Sequence, residues 1–286
     1  MTSAAAAVLV VAAGAVAVPS KARPRAAVAP LGFVIASEAL VAGGDYVPAN
    51  MQAFTRRLES VSGLPPGRLD GRAFARPRDA LEHIRRHGAA FAILPSHQFL
   101  EGRKQLRFEV IGRAVGLEGT DPGYWGITRN EPRPYTQIEH HPGLRLALTE
   151  AHDFRWLWLL FEGNVRPESH FRLVEVPTGQ EALAAVLGRR ADVALLYESD
   201  FRAVKPRIGK DGDLAWVYAS EGVEPPPVLA LAGRAPKAER RKVEQALGQI
   251  CKREGADVCG RMAIMYVERC TADRYARLID GYERAP

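Results

Sequence analysis

The chain is poor in cysteine, methionine and tryptophan, with three, four and four of them in 286 residues. Thiols this sparse, with no CxxC or His–Cys spacing, exclude a zinc ribbon or a disulfide-built miniprotein. No apolar run reaches the roughly 20 residues of a comfortable membrane span. The signatures of common catalysts are missing too: there is no GxSxG, no GxxxxGK[ST], no HExxH, and no GxGxxG after a strand. Acid is not in excess, since 39 Lys and Arg stand against 33 Asp and Glu, a formal +6. Three of those cations, Lys21, Arg23 and Arg25, fall in the first 30 residues, which contain no acid, so the rest balances at 36 against 33. The remaining basic residues alternate with acids and are not interleaved with aromatics. That pattern is a solvated surface and no nucleic-acid groove.

What is present is an ordinary globular composition, 47% apolar and 25% charged, long enough for two lobes. Ala4–Val18 is fifteen residues without a charge, ended by Pro19, which suits the apolar core of an export signal. Small residues at Ala13 and Ala15, or at Ala15 and Ala17, offer cleavage sites. Contact with the membrane is then expected only through a partner, or through this segment if it stays uncleaved. The cysteines, Cys251, Cys259 and Cys270, are all late. In an oxidising compartment two can pair, Cys251 with Cys259 closing the shortest loop; buried free thiols are the alternative.

From Leu31 the pattern alternates between strand and helix. Leu31–Ala36 reads as a strand buried on both faces. A Gly-rich loop follows, and Asn50 is placed to cap a helix carrying Met51, Phe54, Leu58 and Val61. A weak strand near Arg72–Ala75, a helix over about 77–87 and the strand Ala89–Leu94 complete this half. The second half repeats the design with Leu144–Leu148, a helix presenting Phe154, Leu157, Trp158 and Phe161, then Phe171–Val176, Gly179–Gly188 and Ala191–Leu196. Arg78–Pro95, RDALEHIRRHGAAFAILP, and Gln180–Tyr197, QEALAAVLGRRADVALLY, align without a gap at a shift of 102 positions. Leu81 meets Leu183, Ile84 meets Val186, and Leu94 meets Leu196. Two inter-lobe crossings are expected near Gly112–Gly119 and Glu221–Val228. Leu214–Ala219 reads as a further strand, and the tail after it, a strand at Val228–Ala232 and then helices near 236–250, 256–265 and 271–282, is expected to pack back on the first lobe.

This layout resembles the type II periplasmic substrate-binding proteins of ABC importers, and within them the phosphate/phosphonate-type proteins. The segments that carry the likeness are Ala89–Pro95 with Ser96, the crossover Tyr124–Arg129, and Glu168–Gly188. The resemblance implies an α/β fold of two similar lobes, each with a mostly parallel central sheet, joined by a hinge of two crossover segments. It divides the chain into an export segment over 1–29, a first lobe of 30–115 plus 228–286, and a second of 116–227. It implies a periplasmic or secreted protein that captures a small molecule, an oxyanion by analogy, for an ABC permease or a membrane sensor, with neither cofactor nor catalysis. One departure stands out. In these relatives a Ser/Thr/Gly-rich loop at a helix start holds the oxyanion, whereas here that stretch is Thr149-Glu150-Ala151-His152-Asp153.

In open α/β sheets, ligands sit beyond the carboxyl ends of the strands. The side chains at those positions are Ser37, Ser96 and His97 in the first half and Thr149, His152, Tyr197 and Glu198 in the second; Tyr46 is placed to reach over the mouth. Each has a plainer role available: Ser96 as a helix cap, Glu198 as the partner of Arg202 four residues on. His140, His141, Glu150 and His152 lack metal-ligand spacing, because adjacent histidines diverge. Asp211 and Asp213 read as a turn. Two other functions fit the same fold: an enzyme using His152 with Asp153 or Glu150, and a degenerate binder serving as an interaction module.

Overall fold

The computed structural model describes residues 29–37, 47–116, 119–131, 137–149, 153–209 and 212–286. Residues 1–28 of the expected export segment, Tyr46, Glu150 and His152 lie outside the described residues. Two separate sheets form. The first contains β1 (Leu31–Ala36), β2 (Leu69–Phe74), β3 (Phe91–Ile93), β4 (Phe108–Gly116), β10 (Pro227–Leu231) and β11 (Ile264–Glu268), in the order β11-β4-β10-β3-β1-β2. The second contains β5 (Tyr124–Arg129), β6 (Arg145–Leu148), β7 (Arg172–Glu175), β8 (Val193–Tyr197) and β9 (Leu214–Ala219), in the order β7-β6-β8-β5-β9.

The duplicated sequence unit becomes a duplicated structural unit. Helix α2 (Pro77–His87) feeds β3, and α6 (Gly179–Leu187) feeds β8. β1 lies parallel between β2 and β3, as β6 lies parallel between β7 and β8. An antiparallel strand from elsewhere in the chain then closes each trio: β10 against β3, and β5 against β8. The inner strands β1, β3 and β8 are almost wholly apolar runs because they are covered on both faces, whereas the edge strands β2 and β7 carry charges. Phe33, Phe91, Leu146 and Val193 are wholly buried.

The remaining helices are α1 (Val47–Ser62), α3 (Ser96–Leu106), α4 (Phe154–Leu160), α5 (Pro167–His170), α7 (Glu198–Val204), α8 (Lys237–Ala246), α9 (Gly255–Gly260) and α10 (Ala276–Arg284). Three readings of the sequence change. Asn50 lies inside α1, which begins at Val47 with Pro48 in its first turn, where a missing N–H costs nothing. The buried face of α4 is Trp156, Leu157 and Leu160, while Phe154 is 45% exposed. Asp153 caps the helix and fixes that phase. The stretch 256–265 is not one helix: α9 ends at Gly260, Ala263 takes a left-handed φ of 55°, and β11 pairs antiparallel with β4.

The chain passes between the sheets after Gly116 and again after Ala219. The last helix departs from the expectation that the tail packs back on the first lobe. α10 lies on α4, and the Tyr282 hydroxyl donates to both Asp153 oxygens at 3.2 and 3.3 Å. The same helix pairs Glu283 with Arg103 and Lys104 of α3. A disulfide joins Cys251 to Cys259, and Cys270 is a half-buried thiol pushed up to about 11 by burial. One apolar cluster runs from Val34 and Phe99 through Tyr124 and Trp156 to Leu146 and Phe161, across both sheets.

Candidate functional site

Both crossovers and the ends of β1, β3 and β8 enclose a cavity of about 100 Å³. Ser37, Ser96 and His97 line it from the first lobe, Tyr124, Trp156 and Tyr197 from the second, and Val223–Pro226 from the second crossover. A second cavity, about 390 Å³, opens at the mouth between the start of α2 and the ends of β6 and β7; Thr149, Gln98 and Glu175 line it, and His97 belongs to both.

The first-lobe groups are placed by the turn at Pro95. Its ring ends β3, and Ser96 begins α3, whose leading N–H groups lack intrahelical acceptors. Ser96 is not a side-chain cap. Its hydroxyl donates across to the Glu224 carbonyl at 2.7 Å, tying the first lobe to the second crossover. His97 is buried, with its ring 5.8 Å from Trp156. Ser37 extends β1 by one residue, its amide donating to Phe74 at 3.1 Å.

The second-lobe wall is aromatic. Tyr124 meets Trp156 and Tyr197 edge to face, at 5.9 and 5.3 Å between ring centroids. Tyr124 opens β5, directly opposite Tyr197 at the end of β8. Glu198 does not line the cavity. Its carboxylate accepts from Trp125 Nε1 at 2.6 Å and from Arg202 at 2.9 Å, so the helical i,i+4 pairing holds it away from the cleft. Asp153 also turns away from the cleft: it accepts the Trp156 amide at 3.0 Å and the Tyr282 hydroxyl. Both carboxylates are thereby committed within the protein.

The second crossover is held from several sides. Glu224 accepts from Arg113 at 3.2 Å and from Arg274 at 3.0 Å, and Tyr275 donates to the Pro225 carbonyl at 2.6 Å. Burial pushes both the Tyr275 and the Tyr282 phenols above their ordinary range, so they remain donors at any physiological pH. Tyr124 and Trp156 were not singled out from sequence. Tyr124 could have been, as the first residue of a crossover strand; Trp156 was hidden by the phase assigned to α4.

Two matched α/β lobes over a lined cavity at their crossovers are the architecture of a solute-binding protein. The sequence matches the family of periplasmic substrate-binding proteins of phosphonate ABC transporters over residues 44–275. The chain belongs to that family; its role is to bind a solute for an ABC transporter, and its family is periplasmic. No curated protein matches it in sequence. Solved structures share its fold. A binding-protein component of a phosphonate ABC transporter from Pseudomonas aeruginosa is 13% identical with a TM-score of 0.67, over 90% of this chain and 87% of that one. PhnD1 from Prochlorococcus marinus, in complex with methylphosphonate, is 10% identical with a TM-score of 0.66, over 90% and 98%. XAC2383 from Xanthomonas citri, bound to chloride, is 15% identical with a TM-score of 0.69, over 89% and 98%. Among the described residues no helix is long and apolar enough to cross a membrane.

Proposed function

We propose that the inter-lobe cavity is the solute site, that the solute is a small oxyanion, and that the protein hands it on without chemical change. Ser37, Ser96, His97 and Tyr197 are the contacts, joined by Tyr124 and Trp156, with Thr149 on the wall of the adjoining cavity. Glu198 is withdrawn from the set because its carboxylate is engaged elsewhere. The lobes are 30–115 with 228–268, and 116–227, with α10 strapped across both. The observation that carries this reading is the convergence of the ends of β1, β3 and β8, from two separate sheets, on one cavity at the crossovers. Its size supports a solute of few atoms, being well below the roughly 300–1,000 Å³ of drug-sized sites.

Closure would exclude water and strengthen each hydrogen bond to the solute. A permease is the recipient that the family supports. The enzyme reading is disfavoured because Asp153, the carboxylate nearest His152 in sequence, already accepts from Trp156 and Tyr282. Thermal denaturation with phosphate, methylphosphonate, carboxylates and amines tests the proposal. An oxyanion at 100 times its Kd adds about 2.7 kcal/mol of stability. Stabilisation by amines alone, or by nothing in the panel, would overturn the ligand class.

A further inference from the structure

Two helix N-termini of the second lobe, those of α4 and α6, are closed to an anion by the protein's own carboxylates. Asp153 occupies the cap of α4. Asp200 lies against Gly179, the first residue of α6, so closely that a β-carbon there would fall 2.2 Å from its Oδ2. A solute anion placed at either helix start would meet a like charge. Cationic side chains do not replace them: among the described residues lining the 100 Å³ cavity there is no lysine or arginine. At the mouth, Arg76 and Arg78 face Asp79 and Glu175, at 3.5 and 3.9 Å.

What this lobe does offer is neutral donors: Tyr124, Tyr197, Ser199 and Trp156 line the cavity. Trp156 is 1% exposed and lines the cavity, and its indole Nε1 is buried with no hydrogen-bond partner among the described residues. Buried N–H groups without an acceptor are rare in native proteins, and one on a binding cavity marks where an acceptor belongs. Opposite it stands the first turn of α3, with the partial positive charge of a helix start. That turn and these neutral donors bring no lysine or arginine charge to the wall, so the second charge of a dianion would be buried without a counterion from those residues.

We infer that Trp156 Nε1–H is a hydrogen-bond donor from the second lobe to the solute, and that the site selects small organic monoanions over dianions of the same shape. The inference rests on the cleft being an oxyanion site. Methanesulfonate and sulfate separate charge from shape, since a methyl group replaces one charged oxygen. Calorimetric titration of the purified full chain at one pH and ionic strength should give methanesulfonate at least about tenfold tighter binding than sulfate. Trp156→Phe should weaken methanesulfonate about tenfold, the loss of one hydrogen bond to a charged group. In the unaltered protein, one of the four tryptophan indole N–H resonances should move downfield on adding methanesulfonate, a readout independent of whether the variant folds. Sulfate binding as tightly as methanesulfonate overturns the charge selectivity. An unmoved set of indole resonances, with Trp156→Phe binding as well as the parent, overturns the donor. Methylphosphonate and phosphate complete the panel: if none of the four anions binds the unaltered protein, the oxyanion reading itself falls and takes this inference with it.

Discussion

In the first lobe the chain leaves β3 through Pro95 into α3, a helix of eleven residues with no side-chain cap and a serine reaching out to the opposite crossover. In the second the matching exit leaves β8 through Tyr197 into α7, seven residues long and also without a side-chain cap. The 102-residue shift pairs Ser96 with Glu198, yet Ser96 ties the lobes together and Glu198 is spent on Trp125 and Arg202. The same shift pairs Pro77 with Gly179 and Ala90 with Asp192. Duplication has preserved the ladders and helix covers, which need only apolar runs of the right length. It has not preserved the polar groups at the strand ends, where each lobe meets different neighbours. One edge is left open to a guest; the other is largely satisfied from within.

The sharpest way to break this contrast is at Gly179. Gly179→Ala should cost about 1–3 kcal/mol, because its β-carbon meets the Asp200 carboxylate, which must swing aside. Asp200→Gly in the same chain should return most of that loss, read as the urea midpoint. Next in size, Asp153→Ala removes the α4 cap and one partner of Tyr282, for about 1–2 kcal/mol in chemical denaturation. Smaller again is Asp192→Asn. Asp192 is held below the usual carboxylate range first by its side-chain hydrogen bond to Arg145, with a backbone bond adding to it. A depressed carboxyl stabilises the fold above its unfolded value and loses that contribution as pH falls through the folded one. The variant should therefore be about 1 kcal/mol less stable at pH 7. The gap should close once the pH drops below the ordinary aspartate range; a gap that stays constant with pH would show that the pair carries no linkage.

The strands and their covering helices were legible because parallel buried strands announce themselves as unbroken apolar runs, and the repeat made each half a check on the other. β11 was not. Its sequence, IMYVE, is as good a strand as any, but it follows α9 with only a left-handed turn at Ala263 between them, so the helical pattern seemed to run on. The phase of α4 slipped by one because Trp156, Leu157, Trp158 and Phe161 are all apolar, and only the capping bond to Asp153 decides which of them face inward. Positions just past a strand end were readable from topology, and Ser37, Ser96, His97 and Tyr197 do reach the cavity wall. Side-chain direction was not readable: whether Glu198 faces the cleft depends on Trp125, seventy-three residues away in sequence.

α10 has a mechanical consequence. With Tyr282 on Asp153, Glu283 on Arg103 and Lys104, and Arg277 on Glu221, the end of the chain fastens both halves at once. Any motion that parts the two halves must therefore break the contacts of α10 on one side or the other.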